Sequence, residues 1–225
     1  MLLKVIGTGS KGNCYVIKSE KTGRFIILDC GIKFEKIITD SNFNGFEKLD
    51  FVFCSHIHKD HSLSLDLFKL NGCNIIDWNS KTEIKKTYGE WEFATFEVKH
   101  NVKCLGIIIR NTKSNETIAY MTDFCECPRL IGINHFIYEV NYDEETINKK
   151  IMLDNADFQH IRASLNNHNS LENAVSYFNL LSYKPKSLNI CHMSKDHCSK
   201  NKVLNCLTEY VENVNILENN MEYKI

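Results

Sequence analysis

The sequence predicts an α/β fold in which two packed β-sheets are flanked by helices. Short runs that are rich in β-branched and aromatic residues dominate the first two thirds of the chain, and turn-forming or charged residues bound each run. Segments whose apolar residues recur at helical spacing lie between these runs and after them. This arrangement fits two sheets packed face to face, with the helices on the outside.

Eight runs are predicted to form strands. In chain order they cover residues 2–6, 14–18, 25–28, 51–54, 92–98, 105–110, 117–121 and 136–140. Helices are predicted over residues 62–70, 170–181 and 199–211, where apolar side chains share one face. Ser170 fits the N-cap of the second helix, because its hydroxyl can accept a hydrogen bond from an amide of the first turn.

The composition is that of a globular protein without a membrane span. The 225 residues are 43% hydrophobic and include two prolines and no Gly/Ser-rich linker, which predicts a single domain over residues 1–225. No apolar run reaches the roughly 18 residues of a membrane helix, and the apolar start of the chain is too short for a signal peptide. We therefore expect a cytoplasmic protein whose ten cysteines are reduced thiols.

The charge of the chain is balanced, with 27 Lys and Arg residues against 28 Asp and Glu residues. No global basic field would therefore attract a long polyanion to the surface. A local basic patch is compatible with this balance, so the composition weakens the case for a nucleic-acid partner and does not exclude one.

The densest cluster of ligand-type side chains follows the predicted strand at residues 51–54. His56, His58, Asp60 and His61 lie within six residues, and a predicted helix begins directly afterwards. In an extended segment, side chains at i and i+2 point to the same side, so His56 and His58 can bind one point together. Imidazole and carboxylate groups bind zinc, manganese and iron, and two adjacent ions can hold a nucleophile and a leaving oxygen. A solvated loop that merely contains histidines would not concentrate them in this way.

Four further polar residues each follow a strand-like run, and strand ends are where a rigid scaffold positions binding groups. They are Asp29, His100, Asp123 and His192. Each one alone is explained equally well as a turn residue or a structural residue, since aspartate commonly begins turns. The repetition of a strand followed by a candidate ligand indicates a shared site.

This order of residues resembles the five motifs of the metallo-β-lactamase superfamily, over nearly the whole chain. The His-x-His-x-Asp-His segment at residues 56–61 is the most specific part of the resemblance. The glycine-rich residues 7–15 resemble the start of the YycJ/WalJ-like, nuclease-like branch, and residues 138–143 and 167–172 agree with it. The resemblance implies a four-layer αββα sandwich of two mixed β-sheets flanked by helices, the metallo-β-lactamase fold.

The resemblance also implies roles for individual residues. The implied ligands are His56, His58 and His100 for a first metal ion and Asp60, His61 and His192 for a second, with Asp123 bridging both. Asp29 would lie behind the ligands and hold an imidazole by a hydrogen bond. Asp60 and His168 would take part in catalysis, and the residues that would contact substrate are Ser10, Asn13 and His168.

Two of these implied roles have structural alternatives. His168 could donate a proton or clamp a phosphate, but by its spacing it could equally be a surface residue at the start of a helix. The turn at residues 7–13 could bring backbone amides close to a phosphate, and it could equally be a tight hairpin between two strands.

The implied function is that of a metal-dependent phosphodiester hydrolase, in which two divalent metal ions activate a hydroxide. Zinc or manganese fits the ligands, and iron is an alternative. The substrate would be a nucleic-acid end, by likeness to nucleases, or a cyclic nucleotide, which the balanced charge favours. A thioester or lactone hydrolase and a non-catalytic binding module of the same fold are further alternatives. The binding module would have lost ligand positions, whereas all seven are present. No membrane partner is expected, and a homodimer is left open.

Overall fold

The first of two β-sheets is formed by six strands in the order β13-β1-β2-β3-β4-β5. The computed structural model describes residues 1–40, 46–82, 85–153 and 157–225. The strands of this sheet are β1 (Leu2–Gly7), β2 (Cys14–Lys18), β3 (Phe25–Leu28), β4 (Leu49–Phe53), β5 (Ile75–Ile76) and β13 (Glu222–Lys224). The sheet is mixed, because β3, β4 and β5 run parallel while the remaining neighbours are antiparallel.

The second sheet has seven strands in the order β12-β11-β10-β9-β8-β7-β6. Its strands are β6 (Lys86–Tyr88), β7 (Trp91–Val98), β8 (Cys104–Asn111), β9 (Thr117–Met121), β10 (His135–Glu139), β11 (Ser187–Cys191) and β12 (Asn213–Ile216). It is also mixed, since β9 to β12 run parallel and β6 to β9 form antiparallel pairs.

Helices cover the outer faces of both sheets. They are α1 (Phe34–Asp40), α2 (Lys59–Ser62), α3 (Leu65–Leu70), α4 (Glu144–Met152), α5 (Phe158–Asn167), α6 (Leu171–Asn179) and α7 (Lys200–Leu207). Ile37 of α1 and Phe68 of α3 pack on the first sheet. Phe178 of α6 and Leu207 of α7 pack on the second sheet. A third apolar core joins the facing sides of the two sheets, so the layers run helix, sheet, sheet, helix as predicted.

All eight predicted strands are present, and those at 14–18, 25–28 and 117–121 have the predicted bounds. The helix predicted over 62–70 is confirmed at 65–70 as α3 and begins too early, because a separate short helix, α2, ends at Ser62. Ser64 separates them, since its amide donates to the carbonyl of Cys30 at 3.0 Å and its hydroxyl to that of Ile32 at 2.5 Å. The helix predicted over 199–211 ends at Leu207, while Ser170 caps α6 as predicted.

The parallel strands bring the predicted ligands to one edge of the molecule. In each sheet, the carboxyl ends of neighbouring parallel strands lie at the same edge, where loops form binding sites in open α/β sheets. The loops after β3, β4, β9 and β11 carry most of the predicted ligands at this edge, and His100 follows β7, whose neighbours are antiparallel. Among the residues that the structure describes, none of the helices combines the length and the apolar character that a membrane-spanning helix needs.

Candidate metal centre

Three imidazoles and one carboxylate form the first ligand group, which consists of His56, His58, His100 and Asp123. His58 Nδ1 lies 3.0 Å from His56 Nε2 and 3.4 Å from His100 Nε2. Asp123 Oδ2 lies 3.7 Å from His56 Nε2. Four ligand-type atoms from three separate loops therefore converge on one point.

The second ligand group consists of Asp60, His61, His192 and again Asp123. His61 Nε2 lies 3.4 Å from a carboxylate oxygen of Asp60 and 3.4 Å from one of Asp123. His192 Nε2 lies 3.7 Å from the same oxygen of Asp60. Asp123 belongs to both groups, which is the geometry of a carboxylate between two metal positions.

Three of the predicted residues have a left-handed backbone conformation, which is uncommon for residues other than glycine. The φ angles are 57° at Asp29, 50° at Asp123 and 50° at His192. Asp29 and His192 directly follow the last residues of β3 and β11, and Asp123 lies two residues after β9. Such strain persists where the surrounding structure determines the conformation, and it is concentrated at functional sites. Each strand is therefore followed by a sharp turn that carries a polar side chain of the candidate site.

The loop with His56 to His61 is held by a close approach of the chain after β3. A Cβ atom at Gly31 would overlap the backbone carbonyl of Asp60 and lie 2.6 Å from the amide nitrogen of His61. The amide of Cys30 donates to the carbonyl of His61 at 2.8 Å. A residue larger than glycine at position 31 would therefore displace two ligands of the second group.

Asp29 lies behind the ligands, as the resemblance implies. Its side chain is fully buried and accepts a hydrogen bond from His61 Nδ1 at 2.6 Å. The bond leaves Nε2 of the same ring directed at Asp60 and Asp123. A carboxylate that fixes the tautomer and the direction of an imidazole is the usual outer contact of a histidine ligand.

Solved structures that resemble the whole chain include the three that follow. YhfI from Bacillus subtilis, a metallo-β-lactamase fold protein, superposes with a TM-score of 0.71 at 16% identity, over 99% of this chain and 98% of that chain. The chain has the metallo-β-lactamase fold. Human tRNase Z, short form, gives a TM-score of 0.62 at 15% identity, over 100% and 99% of the two chains. Unliganded yeast PDE1 superposes with a TM-score of 0.66 at 11% identity, over 98% of both chains. No protein-family model and no curated protein sequence matches the chain.

Within this metallo-β-lactamase fold, both ligand groups fit a metal ion. Ligand atoms bound to zinc at 2.0–2.1 Å in a tetrahedral site are separated by about 3.4 Å, and the atoms of both groups lie 3.0–3.7 Å from their neighbours. His192 Nε2 is buried and has no hydrogen-bond partner in the described part of the chain. Burying a polar atom without a hydrogen-bond partner costs free energy. The direction of His192 Nε2 towards Asp60 is therefore explained if both atoms bind a cation.

Two imidazoles of the first ligand group, those of His56 and His100, are held neutral. Burial and the neighbouring His61 lower the pKa of His56 to about 2, and burial also lowers the pKa of His100. A neutral imidazole has a free lone pair, which is the form that binds a metal ion.

The second ligand group is surrounded by negative charge. Although burial lowers the pKa of His61 and of His192, nearby carboxylates more than offset it. Asp123 and Asp29 raise the pKa of His61 well above its usual value, and Asp123, Asp60 and Glu139 raise that of His192 to about 10. The same carboxylates attract a metal cation, which would replace the protons that they favour.

Glu139 is the main residue that sequence reasoning missed. It is fully buried at the end of β10, where its Oε1 lies 2.7 Å from His168 Nδ1 and 2.9 Å from His192 Nδ1. A carboxylate only accepts hydrogen bonds, so both imidazoles donate Nδ1–H and keep Nε2 for other partners. The signal in the sequence was a glutamate at the end of an otherwise apolar run.

His168 lies at the edge of the cleft, with 18% of its side chain exposed. Its ring stacks against that of His192, with 5.2 Å between the centroids. Although burial lowers its pKa, Glu139 offsets this effect and raises the pKa above the usual value. The structure therefore brings His168 beside the second ligand group.

The predicted substrate residues of the glycine-rich turn lie beside the second ligand group. Ser10 is exposed at the tip of the turn, while Asn13 is fully buried. The Asn13 side chain accepts from the amide of Gly9 at 2.9 Å and donates to the carbonyl of Asp60 at 3.3 Å. The amide of Asn13 thus links the turn to the ligand loop, and the contact of either residue with substrate stays a prediction.

Proposed function

We propose that the chain is a metal-dependent phosphodiester hydrolase with a two-metal centre. The observation that carries the proposal is the position of Asp123, which belongs to both ligand groups and would bridge two ions. All seven implied ligands lie in these two groups, which argues against a binding module that has lost its centre. Two ions bound there would supply a nucleophile from water at neutral pH and neutralise charge on the substrate phosphate.

The proposed roles of the protein's own residues follow from their contacts. Asp60 and Asp123 each place a carboxylate oxygen 3.4 Å from His61 Nε2, so the ligand atoms of the second group converge on one point. Glu139 holds His168 by its Nδ1–H, so the opposite ring atom faces the cleft. Nε2 of His168 would then donate a proton to the leaving oxygen or bind a phosphate oxygen.

An anionic substrate is supported by exposed lysines in the loops that carry the ligands. They are Lys11, Lys59, Lys103 and Lys195. None of these four forms an ion pair with a carboxylate within the described ranges, whereas Lys200 and Lys202 of the adjacent helix are paired with acidic residues. Unpaired lysines around a cleft raise the local concentration of phosphate-bearing substrates even when the net charge of the chain is near zero.

The size of the substrate separates the two leading candidates. A nucleic-acid end would extend over several rim lysines, since phosphates recur along a strand. A 3′,5′-cyclic nucleotide would occupy the cleft alone. The lysines favour the extended substrate, and we therefore propose nuclease-like activity first and cyclic-nucleotide hydrolysis second.

The test combines metal content with a small panel of substrates. The purified chain is assayed for metal by elemental analysis and then, with added manganese or zinc, on bis-p-nitrophenyl phosphate, a single-stranded oligonucleotide and cyclic nucleotides. About two ions per chain and shortening of the oligonucleotide would support the proposal. Cleavage of cyclic nucleotides alone would favour the second candidate. Hydrolysis of a thioester or lactone without any phosphodiester cleavage would overturn both.

A further inference from the structure

Asp29 accepts more hydrogen bonds than the orientation of His61 requires. Besides His61 Nδ1, its oxygens accept from the amide and the hydroxyl of Ser55 at 2.7 and 3.0 Å, and from the hydroxyl of Tyr120 at 2.5 Å. Oδ2 alone receives His61, Tyr120 and the Ser55 hydroxyl. A buried carboxylate with this many donors is held in one position.

Tyr120 differs from the other donors because it comes from the opposite sheet. Ser55 and His61 follow β4 of the first sheet, whereas Tyr120 lies within β9 of the second sheet. The tyrosine is fully buried, and its ring packs between Tyr15 and Phe53 at centroid distances of 5.6 and 6.1 Å. Both rings belong to the first sheet, since Tyr15 lies in β2 and Phe53 in β4, so contacts across the two sheets hold the Tyr120 hydroxyl against the Asp29 carboxylate.

We propose that Tyr120 is a positioning residue, which acts through Asp29 to hold His61 toward the second ligand group and so sets the metal affinity of that group. The inference rests on the metal centre of the proposed function and does not require hydrolysis. We expect it to act on the second group, because His61 bonds Asp29 directly, whereas His56 of the first group is linked to Asp29 only through the Ser55 hydroxyl, and the Ser55 amide bond to Asp29 holds that residue without Tyr120.

The test is the Tyr120→Phe variant, which keeps the ring and removes the hydroxyl. Metal affinity is measured without substrate, by competition of zinc and of cobalt against a chromophoric chelator, on the full chain. Loss of a residue behind a metal ligand typically weakens binding roughly 10- to 100-fold. We expect a loss of this size for one of two bound ions, with the other unchanged.

Two backgrounds assign the loss to a ligand group. His100→Ala leaves the second group intact, and His192→Ala leaves the first group with all its members. Tyr120→Phe is expected to weaken binding in the His100→Ala background and to leave binding unchanged in the His192→Ala background. Equal weakening in both backgrounds would overturn the inference.

A matched control and a double variant separate positioning from general stability. Tyr177→Phe removes a hydroxyl that accepts from the amide of Leu130 at 3.0 Å, away from the ligands, and should leave both affinities unchanged. In an Asp29→Asn background, Tyr120→Phe should cost little further affinity, because the relay is already interrupted. Additive losses would overturn the inference.

Asp29→Asn alone provides a second test if Tyr120→Phe fails to fold, because it interrupts the relay at the carboxylate. It should weaken the second group selectively, and an equal loss of affinity at both metal positions would contradict the inference. A chain that binds two ions tightly and hydrolyses no phosphodiester would instead overturn the proposed function and leave this inference standing.

Discussion

The supports behind the first ligand group are neutral groups, whereas those behind the second group are charged. His56 Nδ1 lies 3.0 Å from the Ser55 hydroxyl, and His100 Nδ1 lies 3.1 Å from the backbone carbonyl of Asn167. In the second group, His61 and His192 donate to the buried carboxylates of Asp29 and Glu139. Hydrogen bonds to a charged group are about twice as strong as those between neutral groups.

This difference indicates that two metal positions that share one carboxylate need not be equivalent. The first group has a single carboxylate, that of the shared Asp123, and its partly exposed His58 packs mainly against other ligands. The second group is pre-organised and surrounded by carboxylates. We therefore expect the second group to bind its ion first and more tightly.

The largest expected effect is that of Asp123→Ala, which removes the carboxylate common to both groups. Both ions should be lost or bound weakly, and hydrolysis should fall by more than the roughly 10²–10³-fold caused by removing a single electrostatic contact. Elemental analysis and the rate on bis-p-nitrophenyl phosphate measure this. Full activity with two ions bound would show that the shared carboxylate is not a bridge.

The comparison between the groups is tested directly by His58→Ala against His192→Ala. Each variant should retain one tightly bound ion at most. The ion retained by His58→Ala should bind more tightly than that retained by His192→Ala, by roughly 10-fold or more if the charged supports act as such supports usually do. Chelator competition gives both affinities, and the reverse order would refute the proposed difference between the groups.

His168→Ala should leave the metal content unchanged and lower turnover by about 10²-fold, the usual lower range for loss of a proton donor. The loss should be larger for an oligonucleotide than for bis-p-nitrophenyl phosphate, because a nitrophenolate leaves without a proton. His160→Ala, at an exposed position of α5, is the control and should have no effect. Equal losses on both substrates would favour a phosphate clamp over a proton donor.

The smallest effect concerns the lysines outside the ligand groups. Combined replacement of Lys11, Lys103 and Lys195 by Gln should reduce the salt dependence of oligonucleotide cleavage, with a change of about 2 in the slope of log kcat/KM against log salt for three lost phosphate contacts. The rate on bis-p-nitrophenyl phosphate should not change. The control residues are Lys18 at the end of β2, Lys48 before the start of β4 and Lys184 before the start of β11, at the edge opposite the ligands. An effect of the control set would show that only the net charge matters.

Sequence patterns predicted eight of the described strands and the positions of the candidate ligands, because both are local signals. A strand is visible as an alternating or apolar run. Asp29 and His192 follow such a run directly, and Asp123 lies two residues after one. The helix predicted over 62–70 began too early because the bonds of Ser64 to residues of another loop are not encoded in its own segment.

The supports of the ligands could not be predicted from the sequence for the same reason. In the sequence, Tyr120 is one residue of the apolar run that forms β9. Only the packing of the two sheets brings its hydroxyl to Asp29. Glu139 likewise became recognisable when β10 and β11 paired and placed it beside His192. Contacts between residues 50 or 90 positions apart depend on tertiary structure, which periodicity does not contain.

The ligands of each group come from both sheets, since His56 to His61 follow β4 while Asp123 and His192 follow β9 and β11. An ion bound between them would hold the two sheets together and stabilise the folded state, because the unfolded chain has no such site. At a free concentration about 100 times its Kd, such an ion adds about 2.7 kcal/mol to the free energy of unfolding. The melting temperature of the protein would then report on the metal supply of its surroundings, and starvation for that metal would make the chain easier to degrade.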